Sequence, residues 1–147
     1  MRKEIIVESF TFDHTKVKAP FVRNCGRVVT PNGDIIMKFD LRFTQPNQDI
    51  MPTGAVHALE HLLAGFIREE VDDVIDLSPM GCRTGFYLIK VGESNEEEIK
   101  EALFASLQKV LEAEEVPAAN EIQCGNYRDM SLADAKKYAS KVLKGLK

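Results

Sequence analysis

The residues best suited to chemistry lie close together in the stretch 57–61, which reads HALEH. On a helix, His57 and His61 are four positions apart and point the same way, about 5–6 Å apart at Cβ, so both imidazoles can reach one cation. Glu60 lies on the same helix face and can exchange protons with a group held there. This HxxEH spacing is the signature of the inverted zincins, and it predicts a metal site on a helix.

The alternative is a pair of ordinary surface histidines on an amphipathic helix, since short motifs also occur by chance. The surrounding sequence argues against it, because His57, Glu60 and His61 form one polar face on an otherwise apolar stretch. The opposite face carries side chains that can bury the helix: Leu59, Leu62, Leu63, Phe66 and Ile67. We therefore favour the metal site.

Two histidines do not complete such a site, because a catalytic metal usually has three protein ligands and one open position. The remaining candidates are His14, Cys25, Cys82 and Cys124. Cys124 precedes Gly125 in a predicted loop, where glycine lets the backbone approach closely. Cys124 is therefore suited to supply a thiolate ligand, but spacing alone does not decide among the three cysteines.

The other two cysteines have different surroundings. Cys82 lies in a glycine-rich segment beside Arg83, and a cationic neighbour favours the reactive thiolate form of a thiol. Cys82 is thus a candidate base or nucleophile, with a structural cysteine at a turn as the equal alternative. Cys25 falls within strand-like sequence, where we expect it in the core.

Length and composition restrict the class of protein. The chain has 147 residues, the size of one domain, with a globular balance of apolar and charged residues. Its 19 basic and 23 acidic residues give a net charge of −4, which argues against a nucleic-acid partner. No apolar run approaches the ~18 residues that span a bilayer, and the opening residues MRKE lack the apolar core of a signal peptide. We expect a cytoplasmic protein whose three cysteines stay reduced.

Alternating apolar residues and turn signals predict the sheet that must support the site. Strands are expected over residues 4–8, 21–29, 35–43 and 86–91. The Asn-Gly pair at positions 32 and 33 predicts a tight hairpin between the second and third strands. The segment 76–85, rich in glycine, proline and serine, is expected to be a loop.

Three helices are predicted from caps and apolar spacing. Thr53 is the expected cap of a helix that runs to about Glu70 and carries the HALEH motif. Ser94 and Glu97 form an expected capping box before a second helix, and Ser131 is the expected cap of the last. This mixture of strands and helices predicts an α+β fold, an antiparallel sheet packed by about three to four helices, with the metal site on the HxxEH helix.

Several longer motifs together resemble the LuxS family, the S-ribosylhomocysteine lyases. The resemblance covers nearly the whole chain and implies a single catalytic domain over residues 1–147. The matching segments are ESF at 8–10, DH at 13–14, AP at 19–20, KFD at 38–40, RF at 42–43, QPN at 45–47, HALEHLLA at 57–64, SPMGC at 78–82, TGFY at 84–87 and CGNY at 124–127. The chain departs from the family at Met130, where members often carry a histidine.

The resemblance implies roles for eight side chains. The implied metal ligands are His57, His61 and Cys124. The implied acid–base catalysts are Glu60 and Cys82. The side chains implied to line the substrate pocket are Ser9, His14 and Arg42. It further implies one divalent metal per subunit, ferrous iron in cells and zinc or cobalt in purified protein, in a homodimer with active sites at the subunit interface.

The implied reaction cleaves the thioether of S-ribosylhomocysteine to homocysteine and 4,5-dihydroxy-2,3-pentanedione, the precursor of autoinducer-2. The thioether is not activated in the aldose, because the carbonyl lies too far along the chain. The carbonyl must first migrate through enediolates, with a metal as Lewis acid and a thiolate or carboxylate moving protons. Loss of the homocysteine thiolate is then a β-elimination. The product would serve quorum sensing or only the recycling of the activated methyl cycle.

Two other functions use the same residues. A small zinc metallopeptidase of the inverted HxxEH type would take Glu60 as its base and a carboxylate such as Glu98 or Glu121 as third ligand, but it leaves the cysteines without roles. A metal-stabilised binding domain would need a fourth ligand from the remaining cysteines or His14, because structural zinc normally has four protein ligands. With the family resemblance, we rank the lyase first.

Overall fold

The computed structural model describes residues 2–147; Met1, the first residue of the predicted domain, lies outside them. In chain order the elements are α1 (Glu8–Thr11), β1 (Phe21–Val29), β2 (Ile35–Arg42), α2 (Thr53–Glu70), β3 (Val74–Pro79), β4 (Gly85–Val91), α3 (Glu96–Glu112) and α4 (Leu132–Leu146). Within the described residues these form one domain, a four-stranded antiparallel sheet packed by four helices. The predicted α+β class is confirmed.

The sheet has the strand order β1-β2-β4-β3, and every neighbouring pair is antiparallel. The predicted hairpin between β1 and β2 is confirmed. Gly33 takes a φ of +90° at its turn, which glycine adopts without steric cost. The pairing of β1 with β2 shifts register between Asn24 and Gly26, so Cys25 lies at a bulge rather than in the regular ladder.

One cluster of buried apolar side chains joins the sheet to the three long helices. The face of α2 that was predicted to be buried lies in this cluster, with only Phe66 half-exposed at its edge. The buried residues of α2 are Ala55, Val56, Ala58, Leu59, Leu62, Leu63 and Ile67. The other face of α2 carries His57, Glu60 and His61, which are half-buried. The packing of α2 thus fixes the orientation of the HxxEH motif.

Two of the element predictions are wrong. No strand forms over residues 4–8; the chain there makes no sheet pairing, leaves Ile5 and Ile6 largely exposed, and begins α1 at Glu8. The segment 76–85 is not all loop, because β3 occupies Val74–Pro79 and pairs with β4. A proline at the end of an edge strand costs no ladder hydrogen bond, so Pro79 does not prevent this pairing.

The helix caps differ from prediction by one residue in two of three helices. Thr53 is the first residue of α2 rather than its cap, and Pro52 holds the cap position. Asn95, not Ser94, caps α3, because its side chain accepts a hydrogen bond from the Glu98 amide at 2.8 Å. The predicted Ser131 cap of α4 is confirmed. None of the helices in residues 2–147 combines the length and apolar character needed to cross a membrane.

Candidate metal centre

Three side chains that could hold a metal ion converge at the surface of α2. His57 and His61 come from consecutive turns of that helix, and Cys124 comes from the loop between α3 and α4. Their potential ligand atoms all lie within 4.8 Å of one another, and Cys124 Sγ is 3.5 Å from His57 Nε2. The fold thus groups Cys124, rather than Cys25, Cys82 or His14, with the two histidines.

Backbone carbonyls orient both imidazole rings. His57 Nδ1 lies 3.0 Å from the Asp129 carbonyl oxygen, and His61 Nδ1 lies 2.8 Å from that of Pro117. A carbonyl oxygen can only accept, so each Nδ1 carries the hydrogen and each Nε2 keeps a free lone pair. Metal-binding histidines commonly have such a carbonyl partner, which fixes the tautomer and the ring orientation. The rings are therefore prepared to bind through Nε2.

The loop that supplies Cys124 is held by its own hydrogen bonds. The Asn120 side chain accepts from the amides of Ile122 and Gln123, and the Cys124 amide donates to the Asn120 carbonyl at 3.0 Å. The Asn126 amide donates to Cys124 Sγ at 3.5 Å. These hydrogen bonds hold the Cys124 sulfur beside the two imidazole rings.

The donor set fits a resident metal. Two imidazole nitrogens and one thiolate suit zinc, iron or cobalt. No fourth His, Cys, Asp or Glu of the described chain joins the group. Three protein ligands leave a coordination position open, as in catalytic rather than structural sites.

Glu60 lies beside the triad in a surface cavity of about 320 Å³. The cavity is shared by His57 and by the turn that leads from β3 to β4, which contributes Gly81 and Arg83. Arg83 has a left-handed backbone with φ +59°. Cys82 is exposed, but it is not among the residues that line this cavity.

Cys82 instead belongs to a second polar cluster, built on β2 and β4. Its Sγ lies 3.0 Å from Thr84 Oγ1, and Arg42 Nη1 donates to the same hydroxyl at 3.1 Å. Asp40 accepts from Arg42 Nε at 3.0 Å and from Nη2 at 2.7 Å. Asp40, Arg42 and Thr84 are all buried.

The N-terminal segment covers this second cluster. The Arg23 guanidinium lies 3.8 Å from the centre of the Phe12 ring, and that of Arg42 lies 6.0 Å from it. His14 meets the edge of the same ring, 4.9 Å between centres. Ser9 lies on α1, which is tied to β1 by an ion pair between Glu8 and Arg23. The predicted substrate-binding residues therefore share this side of the molecule with Cys82.

The predicted site residues thus fall into two groups. His57, Glu60, His61 and Cys124 form one, and Ser9, His14, Arg42 and Cys82 lie with the other. No hydrogen bond links a side chain of one group to a side chain of the other anywhere in residues 2–147.

Sequence reasoning missed the residues that hold these groups in place. Asp40 and Thr84 lie inside motifs that were matched to the family, but nothing in their spacing indicates that they meet Arg42. The carbonyls of Pro117 and Asp129 leave no sequence signal at all. Only the folded chain brings these partners to their side chains.

Two further predictions concern residues outside the metal group. Cys25 is half-buried rather than fully in the core; its thiol donates to the Lys38 carbonyl at 3.4 Å, and burial raises its pKa to about 11. Such a thiol is largely protonated at neutral pH and is a poor ligand. Met130, the departure from the family, is half-buried against the apolar core.

Comparison with known proteins agrees with this geometry. The family model described as S-Ribosylhomocysteinase (LuxS) matches residues 7–147. An S-ribosylhomocysteine lyase of Clostridium perfringens is 60% identical over 137 residues, which cover 93% of this chain and 91% of the relative. The S-ribosylhomocysteine lyase of Clostridioides difficile is 58% identical, over 93% of this chain and 91% of the relative. That of Thermus thermophilus is 57% identical, over 94% of this chain and 89% of the relative. The chain belongs to the LuxS family of S-ribosylhomocysteinases.

Proposed function

We propose that this protein is a metal-dependent S-ribosylhomocysteine lyase. It cleaves the thioether of its substrate to give homocysteine and 4,5-dihydroxy-2,3-pentanedione, the precursor of autoinducer-2. The observation that carries the proposal is the convergence of His57, His61 and Cys124 in a chain of this family. We also propose a cytoplasmic location, a compartment in which free cysteines stay reduced.

The metal ligands in this proposal are His57, His61 and Cys124. When bound, a divalent metal supplies Lewis acidity, which stabilises negative charge on the sugar oxygens as protons are removed from neighbouring carbon. We assign ferrous iron to the protein in cells, with zinc or cobalt as replacements in purified protein. The thiolate ligand brings more negative charge to the site than a third imidazole, which suits reversible enolisation.

Glu60 and Cys82 move the protons. Each carbonyl shift removes a proton from the hydroxyl-bearing carbon beside the carbonyl and returns one to the former carbonyl carbon. Two such shifts bring the carbonyl to the third carbon. Removal of the next proton then expels the homocysteine thiolate by β-elimination. Two observations support these roles. Glu60 shares a cavity with His57. Cys82 is an exposed residue whose Sγ lies 3.0 Å from Thr84 Oγ1, the hydroxyl that also accepts from Arg42.

Ser9, His14 and Arg42 orient the substrate in this proposal. Arg42 is only 2% exposed and is paired with Asp40. Within one protomer its side chain is therefore shielded from solvent by the residues around it. His14 and Ser9 are half-buried and accessible. They are the residues of this group that can contact the ribose and the amino-acid end directly.

We also propose a homodimer in which each active site takes residues from both subunits. Two observations support it: the groups around Cys82 and around the metal ligands share no side-chain hydrogen bond within the described chain, and the N-terminal segment exposes apolar side chains. These are Ile5, Ile6, Val7 and Phe10. A second copy of the chain would bury this segment and bring the two groups face to face.

Mixing two inactive variants tests the shared site. Cys82→Ala and Glu60→Gln homodimers are each expected to be inactive, because each lacks one proton carrier. If Cys82 and Glu60 of one site come from different subunits, subunit exchange creates dimers with one intact site, and activity returns. Activity that stays absent after verified exchange would place both residues in the same subunit.

The first test of the function itself is thiol release from S-ribosylhomocysteine. Protein purified without oxygen and reconstituted with ferrous iron or cobalt should release homocysteine, and Cys82→Ala should retain metal but lose the release. A folded, metal-loaded protein that releases no thiol would refute the lyase. The metallopeptidase alternative has no support, because Cys124 completes the group and neither Glu98 nor Glu121 belongs to it.

A further inference from the structure

The hydroxyl of Thr84 lies between the sulfur of Cys82 and the guanidinium of Arg42. Thr84 immediately precedes β4 and is 1% exposed. Its Oγ1 is 3.0 Å from Cys82 Sγ and 3.1 Å from Arg42 Nη1. No direct hydrogen bond between Arg42 and Cys82 exists in residues 2–147. The path from the positive charge to the sulfur therefore runs through this one hydroxyl.

The chemistry of the guanidinium fixes the direction of its hydrogen bond with Thr84. A guanidinium has only donors, so Thr84 Oγ1 accepts from Arg42. The hydroxyl retains one hydrogen of its own, and Cys82 Sγ is the other polar atom within bonding distance. When the sulfur is a thiolate it has only lone pairs, so it accepts this hydrogen, whereas a thiol can also donate. The hydroxyl is polarised by Arg42, which strengthens its donation to a charged acceptor.

The supports of Thr84 are rigid. Asp40 holds Arg42 through two of its nitrogens, which leaves Nη1 directed at the hydroxyl. The Thr84 carbonyl accepts from the amides of Phe43 and Thr44 at 2.8 and 3.0 Å. The next residue, Gly85, packs so closely on β2 that a Cβ atom there would fall 2.2 Å from the Leu41 carbonyl oxygen. The hydroxyl is therefore held in place before substrate arrives.

We propose that Thr84 is a positioning residue for Cys82, which holds the sulfur as a thiolate and couples it to the charge of Arg42. The inference rests on the role given to Cys82 in the proposed function. Besides Thr84, the charged and titratable groups of this polar cluster and of the segments around it come from several elements. They are Arg42 and Asp40 of β2, Arg23 of β1, Glu8 of α1, His14 of the N-terminal segment and Arg83 of the turn itself.

Three variants separate this role from a structural one. Thr84→Val removes the hydroxyl at nearly constant volume, and Thr84→Ser keeps it. Thr44→Val is a matched control, because Thr44 is equally buried in the adjoining segment and its hydroxyl has no partner in the described chain. Removing an unpartnered buried hydroxyl should not weaken the fold. All three are loaded with cobalt, and their melting temperatures are compared with that of the native sequence.

The first measurement is alkylation of Cys82 by iodoacetamide as a function of pH, with the three cysteines resolved by peptide mass spectrometry. In Thr84→Val the midpoint of the Cys82 profile should move up by about one pH unit, the size expected for one hydrogen bond to a charged group. Thr84→Ser and Thr44→Val should keep the native profile. This readout does not depend on turnover.

The second measurement is homocysteine release across the same pH range. Thr84→Val should lower kcat by about ten-fold at a pH below the midpoint, with recovery at higher pH and an unchanged KM. A Thr84→Val profile that overlays the native one would overturn the inference, as would a Thr84→Ser profile shifted like that of Thr84→Val. If the native protein releases no thiol while the alkylation profiles still differ, the proposed function fails and the coupling of Thr84 to Cys82 stands.

Discussion

Asp40 forms ion pairs with two arginines of the sheet, the buried Arg42 and the half-buried Arg23. It has no exposed surface, accepts two hydrogen bonds from Arg42 and also contacts Arg23 at 3.0 Å. A buried ion pair adds little net stability, but the removal of one partner leaves a buried charge without compensation. We therefore expect the loss of the Asp40 charge to destabilise the fold, although the ion pairs themselves add little net stability.

Replacement of Asp40 by asparagine is expected to lower the free energy of unfolding by about 3–5 kcal/mol, because Arg42 would remain buried and charged. Urea denaturation measures it. Glu93→Gln is the matched control, since Glu93 pairs with Arg27 at the surface and should cost less than about 1 kcal/mol. Equal losses in the two variants would contradict the importance of burial.

The Cys25 thiol makes the free energy of unfolding depend on pH in the alkaline range. Burial raises the pKa of its thiol from 9.0 to about 11, so the folded chain holds this proton more tightly than the unfolded chain. The resulting stabilisation is complete below pH of about 9 and is lost as the pH rises towards about 11. Urea denaturation at pH of about 8 and about 10.5 should show a smaller loss in Cys25→Ala than in the native sequence. The same loss in both proteins would refute this assignment.

At the scale of residues, the sequence predicts which site residues meet when they lie on one helix. It does not predict contacts between residues that only the folded chain brings together. His57 and His61 follow from their four-residue spacing. Cys124 lies 67 residues from His57, and nothing in the spacing prefers it to Cys25 or Cys82. Thr84 was missed for the same reason, because it lies 42 residues from Arg42 in the sequence and meets it only when β2 and β4 pair.

The start of α3 shows how a helix selects its cap. Asn95, rather than the predicted Ser94, accepts the Glu98 amide. Asn95→Ala should lower the free energy of unfolding by about 1 kcal/mol, because one amide of the first turn loses its partner. Ser94→Ala should cost less than about 0.5 kcal/mol, as surface changes usually do. Thermal and urea denaturation of the pair decide between the two caps.

Two helical glycines have opposite surroundings. A Cβ atom on Gly145 of α4 would lie 2.4 Å from Pro20 Cδ, whereas one on Gly65 of α2 would meet nothing within 4 Å. Gly145→Ala should therefore destabilise the protein by about 1–3 kcal/mol through overpacking. Gly65→Ala should stabilise it by up to about 1 kcal/mol, because alanine favours the helix. A stabilised Gly145→Ala would show that α4 can shift away from Pro20.

At the scale of elements, strong apolar periodicity and turn residues were sufficient to predict a helix or a hairpin. Segments without these local signals were not predicted correctly. The hairpin, α2 and α4 were predicted from apolar spacing and turn residues, which act locally. β3 was missed because residues 74–79 become a strand only by pairing with β4. The strand expected at residues 4–8 has the right composition but no partner in the described chain.

At the scale of the whole molecule, the core does not depend on the three candidate metal ligands. The buried apolar cluster contains neither the two histidines nor Cys124. Removal of metal by a chelator should abolish thiol release and lower the melting temperature, since a ligand present at 1,000 times its Kd adds about 4 kcal/mol. Far-UV circular dichroism should stay unchanged. A chain that unfolds on chelation would instead behave as a structural zinc protein.

The two carbonyls that orient the histidines and the cysteine that joins them all belong to the single segment 117–129. The ends of the segment orient the two rings, and its middle supplies Cys124, the third candidate ligand. One local opening of the segment would therefore withdraw Cys124 and free both imidazole rings from their carbonyl partners at the same time. We therefore expect the time for which an ion remains in the protein to depend on how often this segment opens as well as on the strength of the individual bonds to the ion.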